Sequence, residues 1–103
     1  MRDTPMGFNI NLRTGFFKSE PYIVAASCEA LVFTRAGDKS GGQFQIDCTG
    51  VKGVAIFGKM PSELEIRMAE EVLTGTFPSP ADAAAAAAIL RLVFGKRFLE
   101  ESF

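Results

Sequence analysis

From Phe8 to Arg13 apolar and polar residues alternate, Phe-Asn-Ile-Asn-Leu-Arg, the period of a strand with one face in water. Thr14-Gly15 offers a turn and Phe16-Phe17-Lys18 a return strand, before Pro21 re-aims the chain into Tyr22-Ile23-Val24. Residues 21–28 read as extended, although Ser19-Glu20-Pro21 would equally suit the start of a short helix through Ala25, Ala26 and Glu29. The clearest hairpin joins Leu31–Arg35 to Gln43–Cys48 across a loop rich in glycine, where tight reversal is easiest. Pairing Phe33 with Phe44 sets Leu31 opposite Ile46 and Glu29 opposite Cys48, which leaves Cys28 and Cys48 on opposite faces and disfavours a bridge between them. After a second glycine turn, Val54-Ala55-Ile56-Phe57 is apolar on both parities and predicts a strand covered on both sides.

The second half changes period. Ser62 and Glu65 have the spacing of a capping box, and Leu64, Ile66, Met68, Ala69, Val72 and Leu73 fall on an arc of roughly 200° of a helix over 62–74, with Gly75 as its stop. A second helix, 80–94, has Ser79 as cap, Pro80 in the first position, Asp82 at the positive end of the dipole and Gly95 as terminator. Arg91 is the one charge between Asp82 and Gly95, so this helix is apolar nearly all round. Strands before helices predict an α+β domain spanning 1–103: a meander of four or five antiparallel strands over about 8–58, two helices on one face over about 62–94, and a tail, 95–103.

At 103 residues, with 48% hydrophobic and 22% charged, the chain can bury a core without disulfide or metal staples. Eleven Lys and Arg against twelve Asp and Glu leave a net charge of −1, so there is no global positive field to hold a nucleic acid, and none is expected as partner. The absence of histidine removes every Ser-His, Cys-His and His-metal arrangement. Two cysteines are too few for a disulfide framework or a four-thiolate metal site. Arg2, Asp3, Pro5 and Gly7 give no leader pattern and no apolar run reaches membrane-spanning length, so a cytoplasmic location without membrane attachment is expected.

Each candidate for chemistry has a plainer reading that outweighs it. Gly37–Gly42 contains Lys-Ser among glycines but lacks the order of a phosphate loop and leads into a strand, so it reads as a hairpin loop. Gly58-Lys59 leads into an expected helix start, yet Glu63 and Glu65 already place negative charge there. Cys28 and Cys48 have no histidine to activate them, and Cys48 follows the buried parity of Phe44 and Ile46. Glu29 and Asp47 could meet as a carboxylate pair but read as solvated charge at a strand end. No catalytic residue, metal site or cofactor is expected.

Apolar helix surface exceeds what a small sheet can cover, so the expected function is a non-enzymatic interaction or regulatory module that forms a homodimer or binds another protein. A small accessory protein of a phage or mobile element would suit this size. The expected interface is Ala84, Ala88, Ile89, Leu92, Val93, Phe94 and Phe98. The alternative is a small-molecule binding domain with an apolar pocket between sheet and helices, anchored by Tyr22, Lys59 or Arg91.

Overall fold

A computed structural model describes residues 6–14, 18–36, 42–58 and 61–101. Eight strands and one α-helix occur in the order β1 Met6–Arg13, β2 Ser19–Ala26, β3 Ala30–Arg35, β4 Gln43–Asp47, β5 Val51–Phe57, β6 Glu63–Met68, β7 Val72–Thr76, α1 Pro80–Phe94 and β8 Phe98–Glu101. Short 3₁₀ turns, Cys48–Gly50 and Gly95–Arg97, precede β5 and β8. Strands run β4-β3-β2-β1-β7-β6-β5-β8 across one sheet, so two antiparallel meanders, β1–β4 and β5–β7, meet where β1 pairs with β7.

The β3–β4 hairpin has the expected register, Phe33 opposite Phe44 and Leu31 opposite Ile46, and the Cys48 amide donates to the Glu29 carbonyl at 2.9 Å. Residues 19–26 form a strand, not a helix. Pro21 is tolerated within it because its carbonyl accepts from Ala36 at 2.9 Å, so its missing N–H faces the point where β3 has already ended.

The expected α+β class holds, with more strands and fewer helices than expected. Residues 62–74 form no helix: they enter the β6–β7 hairpin, with Ile66 opposite Leu73 and Arg67 opposite Val72. Glu63-Leu64-Glu65-Ile66-Arg67-Met68 alternates strictly, burying Leu64 and Ile66 and turning Glu63, Glu65 and Arg67 outward. Ser62 does not cap; its hydroxyl donates to the Gly58 carbonyl at 3.2 Å. The stretch 95–103 is also more than a tail, since β8 adds to β5 as the one parallel pair among the described residues.

Helix α1 begins and ends as its sequence dictates. The Ser79 hydroxyl accepts from the Asp82 amide at 3.2 Å, and Gly95 takes a positive φ of 57° at the C-cap. The helix packs chiefly on β1, with β5, β8 and β2 at its flanks. Only Asn11 and Leu12 of β1 pair with β7, so the first half of β1 is open on that side. Asp82 fills the gap: its Oδ1 accepts from the Asn9 amide at 3.2 Å and the Asn9 side chain at 3.1 Å. Between the meanders and the helix lies one apolar core, including Phe8, Ile10, Val24, Phe33, Ile66 and Leu90, with no buried polar residue among those described.

Candidate functional site

Three places could carry function: the outer side of α1, the aromatic end of the first meander, and the outer side of β5, β6 and β8. On α1, Ala86, Ala87, Ile89, Leu90 and Phe94 face the core. The opposite side shows Ala81, Ala84, Ala85 and Ala88, followed by Leu92, which is 75% exposed. These residues follow helical spacing and form an apolar stripe that nothing in the described chain covers. The expected interface set therefore divides. Ala84, Ala88 and Leu92 lie on this outer stripe, whereas Val93 is half-buried and packs against the core of the chain itself, to which Ile89, Phe94 and Phe98 belong.

The expected ligand anchors are scattered. Tyr22 is 6% exposed and packs edge-on against Phe33 and Phe44, whose rings stack at 4.7 Å. Arg35 lies 6.0 Å over the Tyr22 ring and bonds Glu20 at 2.8 Å, which seals that end of the core. Arg91 leaves the helix toward β8, pairing with Glu100 at 2.6 Å and lying over Phe98 at 5.5 Å. Lys59 and the loop 37–41 lie outside the described residues, as do Phe16, Phe17 and Phe103.

Comparison with known proteins gives a fold and stops there. No protein-family model and no curated protein matches this sequence. The fold does match: the chain is similar to one from the "Structure of the Spt16D Pob3N heterodimer", with a TM-score of 0.72 at 15% identity over 99% of this chain. It spans 57% of that chain's length. At that identity the likeness establishes the shared architecture alone.

The remaining candidates for chemistry are the two cysteines and the carboxylates at the end of the first hairpin. Cys48 is buried, with its thiol 3.5 Å from the Ser27 carbonyl, and Cys28 is exposed. Burial pushes the Cys48 thiol above its ordinary pKa; Arg97 works against this, while Cys28 and Asp47 add to it. Such a thiol is a weak nucleophile at neutral pH. Arg97 itself is committed to structure, donating to the carbonyls of Cys48 at 3.0 Å and Val51 at 2.8 Å. Glu29 and Asp47 are exposed at the end of the β3–β4 ladder. Among the described residues no cluster of three His, Cys, Asp or Glu side chains could hold a metal ion, and no helix is long and apolar enough to cross a membrane.

Sequence reasoning missed the outer side of the second meander. Gly53, Ala55 and Phe57 of β5 lie beside Arg67, Glu65 and Glu63 of β6, with Leu99 of β8 flanking Ala55 and 61% exposed. A cleft of about 200 Å³ runs over Gly53, Ala55 and Phe57, bounded by Arg67 and Leu99. A wider depression of about 520 Å³ lies between Ile46 and Met68, bordered by Glu70 and Glu71. Neither of these two lies between sheet and helix, where the alternative reading expects a small-molecule pocket. Strict alternation over 63–68, given more weight than the capping-box spacing, was the signal that could have exposed this surface.

Proposed function

We propose that this chain is a non-enzymatic protein-interaction module whose docking surface is the outer stripe of α1. One observation carries the reading: Leu92, three-quarters exposed, continues a stripe of alanines on a helix whose opposite side is already buried. Alanine lets a partner backbone approach closely, and a large exposed apolar side chain at the end of such a stripe supplies the anchor that interface cores use. The fold likeness to a chain of a two-protein complex supports the same class of role. The exposed Cys28 thiol suits the reducing, cytoplasmic setting expected from the sequence.

A photo-crosslinking amino acid at Ala88, introduced in the native host, tests this. The expected result is one discrete protein adduct, lost in Leu92→Asp and absent when the crosslinker replaces Lys18, which is exposed just before β2 and lies off α1. Equal labelling from both positions, or none from Ala88, overturns the proposal.

A further inference from the structure

The outer face of the second meander can be laid out in three levels along its strands. At the first, Phe57 of β5 lies beside Glu63 of β6 and Thr76 of β7; at the second, Leu99, Ala55, Glu65 and Thr74 run across β8, β5, β6 and β7; at the third, Gly53 lies beside Arg67 and the half-exposed Val72. All of these alternate with the buried Val54, Ile56, Leu64 and Ile66, so they share the outward side. A large aromatic therefore stands at one end of the face and a missing side chain at the other, about 13 Å apart along β5. An acid and a base stand at the same two ends of β6. Glu63 has no ionic partner among the described residues, and Arg67 touches Glu65 at 3.6 Å through Nε while its side chain stays 66% exposed.

Gly53 is not glycine for want of space or because of its backbone. It marks the bulge where the register shifts between Val51 and Gly53, yet its φ is not positive. A Cβ built there would meet only the Arg97 carbonyl oxygen, at an ordinary 3.7 Å. Gly75 is the opposite case, with a Cβ that would lie 2.9 Å from both the Asn11 carbonyl oxygen and Ile10 Cγ1. What the absent side chain of Gly53 does is floor the cleft of about 200 Å³, which opens outward.

We propose that this face binds a second copy of the chain, the two faces related by a twofold axis that lies between them, perpendicular to the strands, at the level of Ala55 and Leu99. That operation reverses strand direction and keeps β5 over β5 and β6 over β6. It sets Phe57 of each copy into the hollow over Gly53 of the other, Glu63 opposite Arg67 of the other, and Leu99 against its own equivalent. Self-complementarity of this kind is what an isologous interface requires, and facing sheets about 10 Å apart with nearly aligned strands provide the packing. Glu65 meets its own equivalent near the axis, where Arg67 of the same chain already compensates its charge. The surface is separate from the α1 stripe, so a dimer formed this way leaves that stripe open.

Analytical ultracentrifugation of the purified chain between about 5 and 200 μM reads the assembly, with circular dichroism and thermal melts confirming that each variant is folded. The wild type is expected to shift from monomer to dimer across this range. Gly53→Leu, whose Cβ would meet only the Arg97 carbonyl oxygen at an ordinary contact distance, is expected to weaken the dimer at least tenfold by filling the seat of Phe57. Glu63→Arg and Arg67→Glu should each weaken it about tenfold, and the double variant should recover to within about threefold of wild type, because the reversed charges again face each other. A wild type that stays monomeric, a Gly53→Leu protein that dimerises like wild type, or a double charge variant no better than the singles would each overturn the proposal. Leu92→Asp should dimerise normally, so loss of the α1 docking reading would leave this result standing, and the reverse.

Discussion

The two meanders share a core but present opposite outer surfaces. Outside β1–β4 the described side chains are mainly amides, hydroxyls and small apolar groups, Asn9, Asn11, Ala25, Val32, Thr34, Gln43 and Gln45 among them, with Gln43 donating to Thr34 at 3.1 Å. Ile23, 48% exposed, is the large apolar exception. Outside β5–β8 the apolar groups are Phe57, Ala55, Val72 and Leu99, and beside the Thr74 and Thr76 hydroxyls of β7 the formal charges of β6 are ordered along the strand, acid at one end and base at the other. Amides donate and accept alike, so the first surface imposes no direction on what meets it. Ordered charges have a direction, and a directional surface favours one orientation of whatever meets it.

The largest expected effect breaks the joint on which the comparison depends. Gly75→Ala should cost about 2 kcal/mol and lower the melting temperature by roughly 10 °C, because its Cβ would collide with the Asn11 carbonyl and Ile10 where β1 meets β7. Gly53→Ala, the same kind of change on the open face, should move stability by less than about 0.5 kcal/mol. Equal melting of the two variants would show that the meanders are not coupled through that corner.

Asp82 is the next lever, since it ties α1 to the unpaired half of β1. Its burial raises the carboxyl pKa, but hydrogen bonds from the Ser79 hydroxyl and from the Asn9 amide and side chain outweigh that and hold it below the ordinary value. A carboxyl with a lowered folded-state pKa contributes stability that is present at neutral pH and lost as the pH falls below about 4. Asp82→Ala should cost about 1 kcal/mol at pH 7 and flatten that acid limb in denaturant melts recorded from pH 7 to 3. An unchanged pH dependence would remove Asp82 as its source.

The smallest effects on stability sharpen the contrast between the outer surfaces. Ile23→Thr and Leu99→Thr replace similarly exposed side chains and should each change stability by less than about 0.5 kcal/mol. Only Leu99→Thr is expected to weaken self-association, by about fivefold in sedimentation; equal weakening by both would make the effect one of general hydrophobicity.

Much of the first meander and of α1 was legible in the sequence because local signals there agree with one another. The β3–β4 register follows from matching Phe33 to Phe44, and Ser79, Pro80 and Gly95 bracket the helix by backbone chemistry alone. Residues 62–74 were ambiguous because Leu64, Met68 and Val72 satisfy a helical stripe while Leu64, Ile66 and Met68 satisfy strand alternation. An apolar arc near 200° was itself the warning, since a helix resting on one sheet needs less. With that helix gone, half of the apolar excess goes with it, and the surplus surface is the outer stripe of α1 together with the second outer face. The parallel pairing of β8 with β5 was not readable, because it depends on where the end of α1 delivers the chain and on no local pattern in Phe98–Glu101.

That delivery couples two events. Three residues, Gly95–Arg97, separate α1 from β8, so the strand cannot reach β5 unless the helix is already seated. Should α1 lift away, β5 loses its neighbour in the same motion, uncovering a raw ribbon edge and the grease beneath it together. The molecule thus has a single seam along which it would open, and hydrogen exchange should find the amides of β8 and the last turns of α1 yielding at one common rate.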